Sequence, residues 1–336
     1  MEHAWRYRSK RQYFGCLLGC LFIRLAKCEG KIINAELTQT QVVAKNALVQ
    51  SMFLPALPPR ALDAHKGNFG SVAIVGGDTG MVGAVLLASR AALFCGAGRV
   101  YAAFLADNAP HVDMCHPEIM LHSAATLTNL TQLNCVVIGT GLGQSRAAID
   151  LLEFCMTQHV DLLIDADALN LISQHAHLQT LLKNRQAETI ITPHPAEAAR
   201  LLNTSVDDIQ QNRIECAQNL AVKLQAVCVL KGAGTIVADT DGTWFINTTG
   251  NPGLASGGTG DVLSGIIGSL VAQGLSSLEA AKLGVYVHGA AADALVAEGI
   301  GPIGLTASEI ALEARHQINL LNKLSNQNLK LEDILD

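Results

Sequence analysis

Apolar positions along the chain fall into short unbroken runs that alternate with longer stretches spaced every three or four residues. That is how strands buried on both faces and the helices covering them are written in sequence. Residues 71–75, 99–104, 135–138, 161–164, 189–191 and 227–230 read as buried strands, and 83–94, 147–156, 177–183, 196–202 and 208–224 as helices between them. Residues 235–238 and 243–247 flank Asp241-Gly242, a hairpin signal near a sheet edge. Three further helices, 261–273, 278–298 and 307–322, close the chain. The alternation predicts an α/β fold, a mostly parallel central sheet with helices on both faces.

The ends read differently. Leu37, Val42, Val43, Leu48 and Val49 give residues 35–52 a helical spacing, and Pro55, Pro58 and Pro59 then break the chain. We therefore expect an N-terminal extension over 1–55, one catalytic domain over 56–325 and a polar tail over 326–336. Within the extension, Arg6, Arg8, Lys10 and Arg11 precede an apolar run from Tyr13 to Ile23. The run is too short to span a bilayer and Arg24 ends it; it reads as a signal peptide, with Leu17 to Cys20 as a lipoprotein-like cleavage box, or as an upstream extension, and the nucleotide chemistry read downstream favours the extension.

Composition narrows the function. Hydrophobic residues make up 49% and charged residues 15%, which suits a chain that buries a large core. Aromatics are only 4%, so that core is built of Ala, Leu, Ile and Val. A net charge of −6 gives no basic footprint for nucleic acid, so any phosphate must be held locally by backbone N–H groups, a few cations or a metal. The nine cysteines include no CxxC pair, and Cys95, Cys135, Cys216 and Cys228 sit inside apolar segments. They read as reduced structural thiols of a reducing compartment.

Five unusual sequences follow predicted strands directly: Gly76-Gly77, Gly139–Gly143, Asp165-Ala166-Asp167, Thr192–Pro195 and Lys231-Gly232. In a parallel sheet ligands sit beyond the carboxyl ends of strands, so these five should share one rim. The most informative segment is Asn251-Pro-Gly-Leu-Ala-Ser-Gly-Gly-Thr-Gly-Asp261, which runs into an apolar helix. Its glycines can form an anion-binding nest at a helix N-terminus, where Asp261 is either a cap or, beside phosphate, a reacting carboxylate. We favour the reacting role. Lys231-Gly-Ala-Gly-Thr235 adds a cation, a flexible turn and a hydroxyl for the other wall of a nucleotide site. His194 is aimed at the rim by Pro193 and Pro195, and Glu197 is either a dipole partner or a metal ligand through water. Asp165 and Asp167 stand where a strand ends, one assisting Mg²⁺ and one capping a helix. His65-Lys66-Gly67-Asn68-Phe69-Gly70 precedes the first strand, its glycines implying close approach to a neighbour or to substrate. His288 reads as core or interface.

These segments, with His65-Lys66-Gly67-x-x-Gly70, resemble in order and spacing the ADP-dependent NAD(P)H-hydrate dehydratases, a family with the ribokinase-like fold. The resemblance extends from about residue 57 to 320. It departs at Thr140, where proline is common, and at Ser256, where Thr or Lys is frequent. It implies repair of NADH hydrate and NADPH hydrate with ADP as co-substrate (ATP being the alternative) and Mg²⁺ as cofactor. It implies Asp261 as the catalytic residue, Lys231, Gly232, Ala233, Gly234, Thr235, Gly258 and Gly260 around the nucleotide, and Ala84, Gly141, His194 and Asp261 around the hydrate. Glu197 and Asp167 are the metal positions. It also implies a cytoplasmic tetramer without nucleic-acid or membrane partners. Too few residues precede the domain for the epimerase of larger relatives, so dehydratase activity alone, beside a separate epimerase, is expected. The rival reading is a ribokinase-like kinase of a hydroxymethylpyrimidine or thiazole alcohol, which would share the glycine loop and Asp261.

Overall fold

Six of the predicted strands have both faces covered, and this is why they appear in sequence as unbroken apolar runs. In the computed structural model, which describes residues 43–130 and 132–332 (the helical backbone alone for 326–332), they belong to one ten-stranded sheet. The strands are β1 (Ala47–Leu48), β2 (Ser71–Gly76), β3 (Arg99–Phe104), β4 (Met120–Ser123), β5 (Cys135–Ile138), β6 (Asp161–Ile164), β7 (Thr189–Ile191), β8 (Val227–Leu230), β9 (Ile236–Ala238) and β10 (Trp244–Asn247). Their order is β1-β10-β9-β8-β7-β6-β5-β2-β3-β4. Only β9 runs antiparallel to its neighbours, which is the predicted hairpin and its return to β8.

The helices are α1 (Val82–Phe94), α2 (Arg146–Thr157), α3 (Ala166–Gln174), α4 (Ala176–Lys183), α5 (Pro195–Leu202), α6 (Val206–Gln211), α7 (Arg213–Leu224), α8 (Thr259–Ala272), α9 (Ser277–Ala297) and α10 (Ala307–Glu332). Side-chain alternation sorts the strands between two cores. Val72 and Ile74 of β2 pack with α1, α8, α9 and α10, whereas Ala73 and Val75 pack with α2 to α7. Each fully buried side chain such as Ile74, Leu163 or Ile164 contributes about 1.5–3 kcal/mol to this packing.

Several expectations need correction. Residues 43–45 are helical, but the helix read over 35–52 does not continue. The chain instead forms β1, which pairs with β10, and a 3-10 turn at Gln50–Phe53. Leu48 and Phe53 are buried there, so the sheet takes in residues before the proline break. The helix read over 208–224 is two, because Ser205 caps α6 through Asp208 and the chain turns at Asn212 before α7. Strand β4 went unforeseen because it is short, only half apolar, partly exposed and at the edge. Helix α10 runs to Glu332, since no Gly or Pro interrupts it. The basic and apolar segment over 6–23 lies outside the described residues. The six described cysteines are all free, five of them buried. No helix among the described residues is long and apolar enough to cross a membrane.

Candidate active site

The chain runs from β2 to β3 and β4 in one direction and from β5 to β8 in the other, so the switch point of the sheet lies between β2 and β5. The two loops are joined there: Gly77 N–H donates to Thr140 O (3.0 Å) and Asp78 N–H to Gly141 O (2.7 Å). A Cβ on Gly76 would stand 2.2 Å from Thr140 O, so only glycine permits this approach. All five rim sequences follow neighbouring parallel strands, β2, β5, β6, β7 and β8.

Asp165 forms the anchored wall. It follows β6 directly as the N-cap of α3, and Asp167 sits in the first turn of that helix, so the strand has ended before both. A short side chain that can bond the next N–H groups prefers a cap to a strand end. Its Oδ1 accepts from Ala166 N–H (2.9 Å) and from Lys231 Nζ (2.7 Å), and its Oδ2 from Ser264 Oγ (2.7 Å). The Asp165 side chain is 2% exposed and that of Lys231 is 19% exposed. Burial alone would lower the Lys231 pKa, but Asp165, Glu197 and Asp261 outweigh it and hold the ammonium charged. Ala166 carries a left-handed φ of 47°, a strain of about 1 kcal/mol or more for a residue other than glycine.

The opposite wall is the loop that feeds α8. Asp293 holds its start, accepting from Gly250 N–H (2.8 Å) and Asn251 Nδ2 (2.9 Å). Thr259 Oγ1 donates to Leu254 O and Ser256 O (2.8 and 3.0 Å), drawing the loop against the helix. Helical geometry begins earlier than expected, at Thr259. Gly258 in the left-handed region is the N-cap, and Asp261 is not. No described side chain caps this helix start, so its first N–H groups are open to an anion. A methyl on Gly260 would lie 3.5 Å from Lys231 Nζ, which places the ammonium beside those N–H groups. The Asp261 carboxylate, half-buried in the first turn, accepts no hydrogen bond from any described residue. Burial, then Asp165 and Asp167, push its pKa up to about 6, against the pull of Lys231.

His194 is the N-cap of α5, with Pro195 as its first residue. Its Nδ1 accepts from the N–H groups of Ala196 and Glu197 (3.0 and 3.4 Å), so the neutral ring carries its proton on Nε2. Glu197 Oε2 accepts from His194 N–H (2.7 Å), and its Oε1 lies 3.2 Å from His194 Nε2. Burial raises the Glu197 pKa to about 7. Burial, then Lys231 and Arg200, lower that of His194. The ring remains half-exposed at the rim. Asp167 Oδ2 accepts from Gly143 N–H (2.9 Å), which leaves its other oxygen free for a cation. Ala84 lies against Gly141: a Cβ on that glycine would stand 3.3 Å from the Ala84 methyl. Among the described residues no three His, Cys, Asp or Glu side chains form a metal-binding group. Magnesium that arrives with nucleotide phosphates needs only one or two carboxylates, and the free oxygen of Asp167 fits that demand.

Some singled-out residues lie elsewhere. His65–Gly70 stands at the amino end of β2, opposite the rim. His65 caps its own turn, and Gly70 approaches Ala272 O, so the close approach is to a neighbour and not to substrate. His288 is buried in α9 behind the loop, its pKa lowered by burial to about 4. Sequence reasoning missed Ser264, although it lies one turn beyond Asp261 on the same helix face, and it missed the role of Asp165 as anchor.

Comparison with known proteins adds a second line. The sequence model of the family described as NAD(P)H-hydrate dehydratase matches residues 72–313. The chain is 45% identical over 267 residues to the ADP-dependent (S)-NAD(P)H-hydrate dehydratase of Neisseria meningitidis serogroup B, covering 79% of this chain and 90% of that one. It is 43% identical over 269 residues to the bifunctional NAD(P)H-hydrate repair enzyme of Coxiella burnetii, covering 79% of this chain and 54% of that one. The chain thus spans about half the length of that bifunctional relative. The ADP/ATP-dependent NAD(P)H-hydrate dehydratase from Bacillus subtilis, co-crystallized with ATP/Mg²⁺, superposes with a TM-score of 0.71 at 28% identity, covering 82% of this chain and 98% of that one. The ribokinase-like fold expected from the sequence is the fold of this neighbour.

Proposed function

As the chain belongs to the NAD(P)H-hydrate dehydratase family, we propose that it dehydrates the (S)-form of NADH hydrate and NADPH hydrate, consuming ADP and returning NADH and NADPH with AMP and phosphate. The observation that carries the reading is Asp261: a carboxylate without a hydrogen-bond partner among the described residues, with a pKa pushed up to about 6, in the first turn of a helix that no described side chain caps.

Hydroxide is a poor leaving group from C6 of the hydrated ring. Asp261 accepts the proton of the C6 hydroxyl as its oxygen attacks the terminal phosphorus of ADP. The phosphorus–oxygen bond to AMP breaks and a phosphate ester forms. The ring nitrogen's lone pair then expels phosphate, and loss of a proton from C5 restores the double bond. The N–H groups at the start of α8 and the Lys231 ammonium stabilise the charge that gathers on the phosphoryl oxygens. Ala84, Gly141 and His194 line the hydrate side of the rim, and Lys231 to Thr235 with Gly258 and Gly260 the nucleotide side. Magnesium, held by Asp167 and through water by Glu197 when the nucleotide is bound, would neutralise phosphate charge. The same reading places the protein with the cytoplasmic nucleotides. Its exposed Met114 and Ile303 fit the expected tetramer, which light scattering on the purified protein checks.

The test is the near-ultraviolet absorbance of the dihydronicotinamide ring after purified protein, Mg²⁺ and ADP are added to fresh NADH hydrate. Recovery of absorbance that requires ADP, with AMP appearing in step, is expected. No recovery with ADP or ATP overturns the reading.

A further inference from the structure

Arg213 opens α7 beneath the turn that leaves β8, and neither the sequence motifs nor the reaction just described gives it a role. Its Nη2 donates to three carbonyls of that turn, Leu230 O (3.1 Å), Lys231 O (3.3 Å) and Gly234 O (3.4 Å). Its Nη1 is held by Gln210 Oε1 (3.1 Å), and a Cβ on Gly232 would stand 2.9 Å from it. Thr235 Oγ1 takes a fourth carbonyl, Gly232 O (2.9 Å). The carbonyl groups of Leu230, Lys231, Gly232 and Gly234 are thus each engaged from within the fold. The turn's N–H groups are not: those of Gly232, Ala233 and Gly234 meet no acceptor among the described residues. Gly232 and Gly234 hold φ angles of 138° and 65°, conformations that only glycine adopts without strain, so a side chain at either position would spoil the turn.

We infer that Arg213 is a positioning residue for the nucleotide: by occupying the carbonyls of the 230–234 turn it leaves the turn's N–H groups facing outward as an anion-binding nest. The inference rests on the nucleotide reading above. A turn with its carbonyls satisfied from within presents fixed N–H dipoles to a phosphate oxygen and needs no reorganisation when the ligand arrives. Without the guanidinium, three carbonyls lose their partner, the peptide planes can rotate, and oxygen atoms turn toward the place where the anion binds. A planar fork suits the task, because it can bridge several acceptors where an ammonium can only approach them one at a time.

Steady-state kinetics on Arg213→Gln and Arg213→Lys, with ADP and hydrate varied in turn, provide the test. In Arg213→Gln the KM for ADP should rise about tenfold, the loss expected for a charge-assisted bond network. The KM for hydrate and the kcat at saturating ADP should stay within about twofold of wild type, since the groups that meet the hydrate are untouched. Arg213→Lys should fall between the two, about threefold up in ADP KM, because the ammonium restores part of the carbonyl bonding. An unmoved ADP KM in folded Arg213→Gln overturns the inference, and so does an equal fall in every constant, which would mark general damage. Should Arg213→Gln not fold, Arg213→Lys decides, and a wild-type ADP KM there overturns it. A wild-type enzyme that neither binds nor uses ADP defeats the nucleotide reading itself; an ADP-dependent wild type with unmoved Arg213 variants defeats only this inference.

Discussion

The two walls of the site treat their carboxylates in opposite ways. On the strand wall, Asp165 is almost fully buried and bonded by Lys231, Ser264 and the Ala166 N–H. On the helix wall, Asp261 is half-buried, faces the same Lys231 and two further carboxylates, and is bonded by no described residue. A carboxylate whose two oxygens are both engaged by buried donors positions its neighbours and is a weaker acceptor for a substrate proton. One left unbonded beside an ammonium and an open helix start can take a proton from a substrate. The difference separates scaffold from chemistry within one pocket.

Substitutions can break that contrast, and the largest effect falls on the helix wall. Asp261→Ala should fold and bind ADP, yet lose turnover by about a thousandfold, as judged by the rate of NADH recovery. Lys231→Met strikes the other wall: Asp165 is left buried without its cation, and stability should fall by about 3 kcal/mol in urea unfolding, with weaker ADP binding. Asp261→Asn should gain stability while losing activity. A carboxyl raised in the folded state is more easily ionised when unfolded, so its ionised form opposes folding above about 6 and the penalty vanishes as the pH falls toward its ordinary value. Thermal unfolding at neutral pH should therefore favour the variant by about 1–2 kcal/mol, allowing for partial exposure, and the gain should vanish in acid. Smallest is Ala166→Gly, which relieves the left-handed φ without touching the Asp165 bonds and should stabilise by about 0.5–1 kcal/mol.

What was legible in the sequence follows from the same physics. The central parallel strands stood out because both faces are buried, and Asp241-Gly242 marked the hairpin because its turn has a chemistry of its own. Strands β1 and β4 did not stand out, being two and four residues long and at the sheet edges. Helix α3 was missed because Asp165 reads equally well as the end of a strand and as a cap. Asp261 was legible from the glycines before it, although the helix begins two residues earlier than they implied. The bonds of Asp165 to Lys231 and Ser264 join positions 66 and 99 residues apart, and no local pattern announces them. The turn over 230–234 announced itself through its glycines, but the arginine that shapes it comes from another element.

The account stands or falls on Asp261 being the base, and the pH dependence of kcat/KM for hydrate at saturating ADP tests this most directly. Asp261 must be ionised to accept a proton, so kcat/KM should fall as pH drops through about 6. Asp165→Asn removes a negative charge that faces Asp261, and the limb should then move to lower pH. A limb near 7 that disappears in Glu197→Gln would transfer the titration to Glu197, and the absence of any acid limb would contradict a carboxylate base altogether.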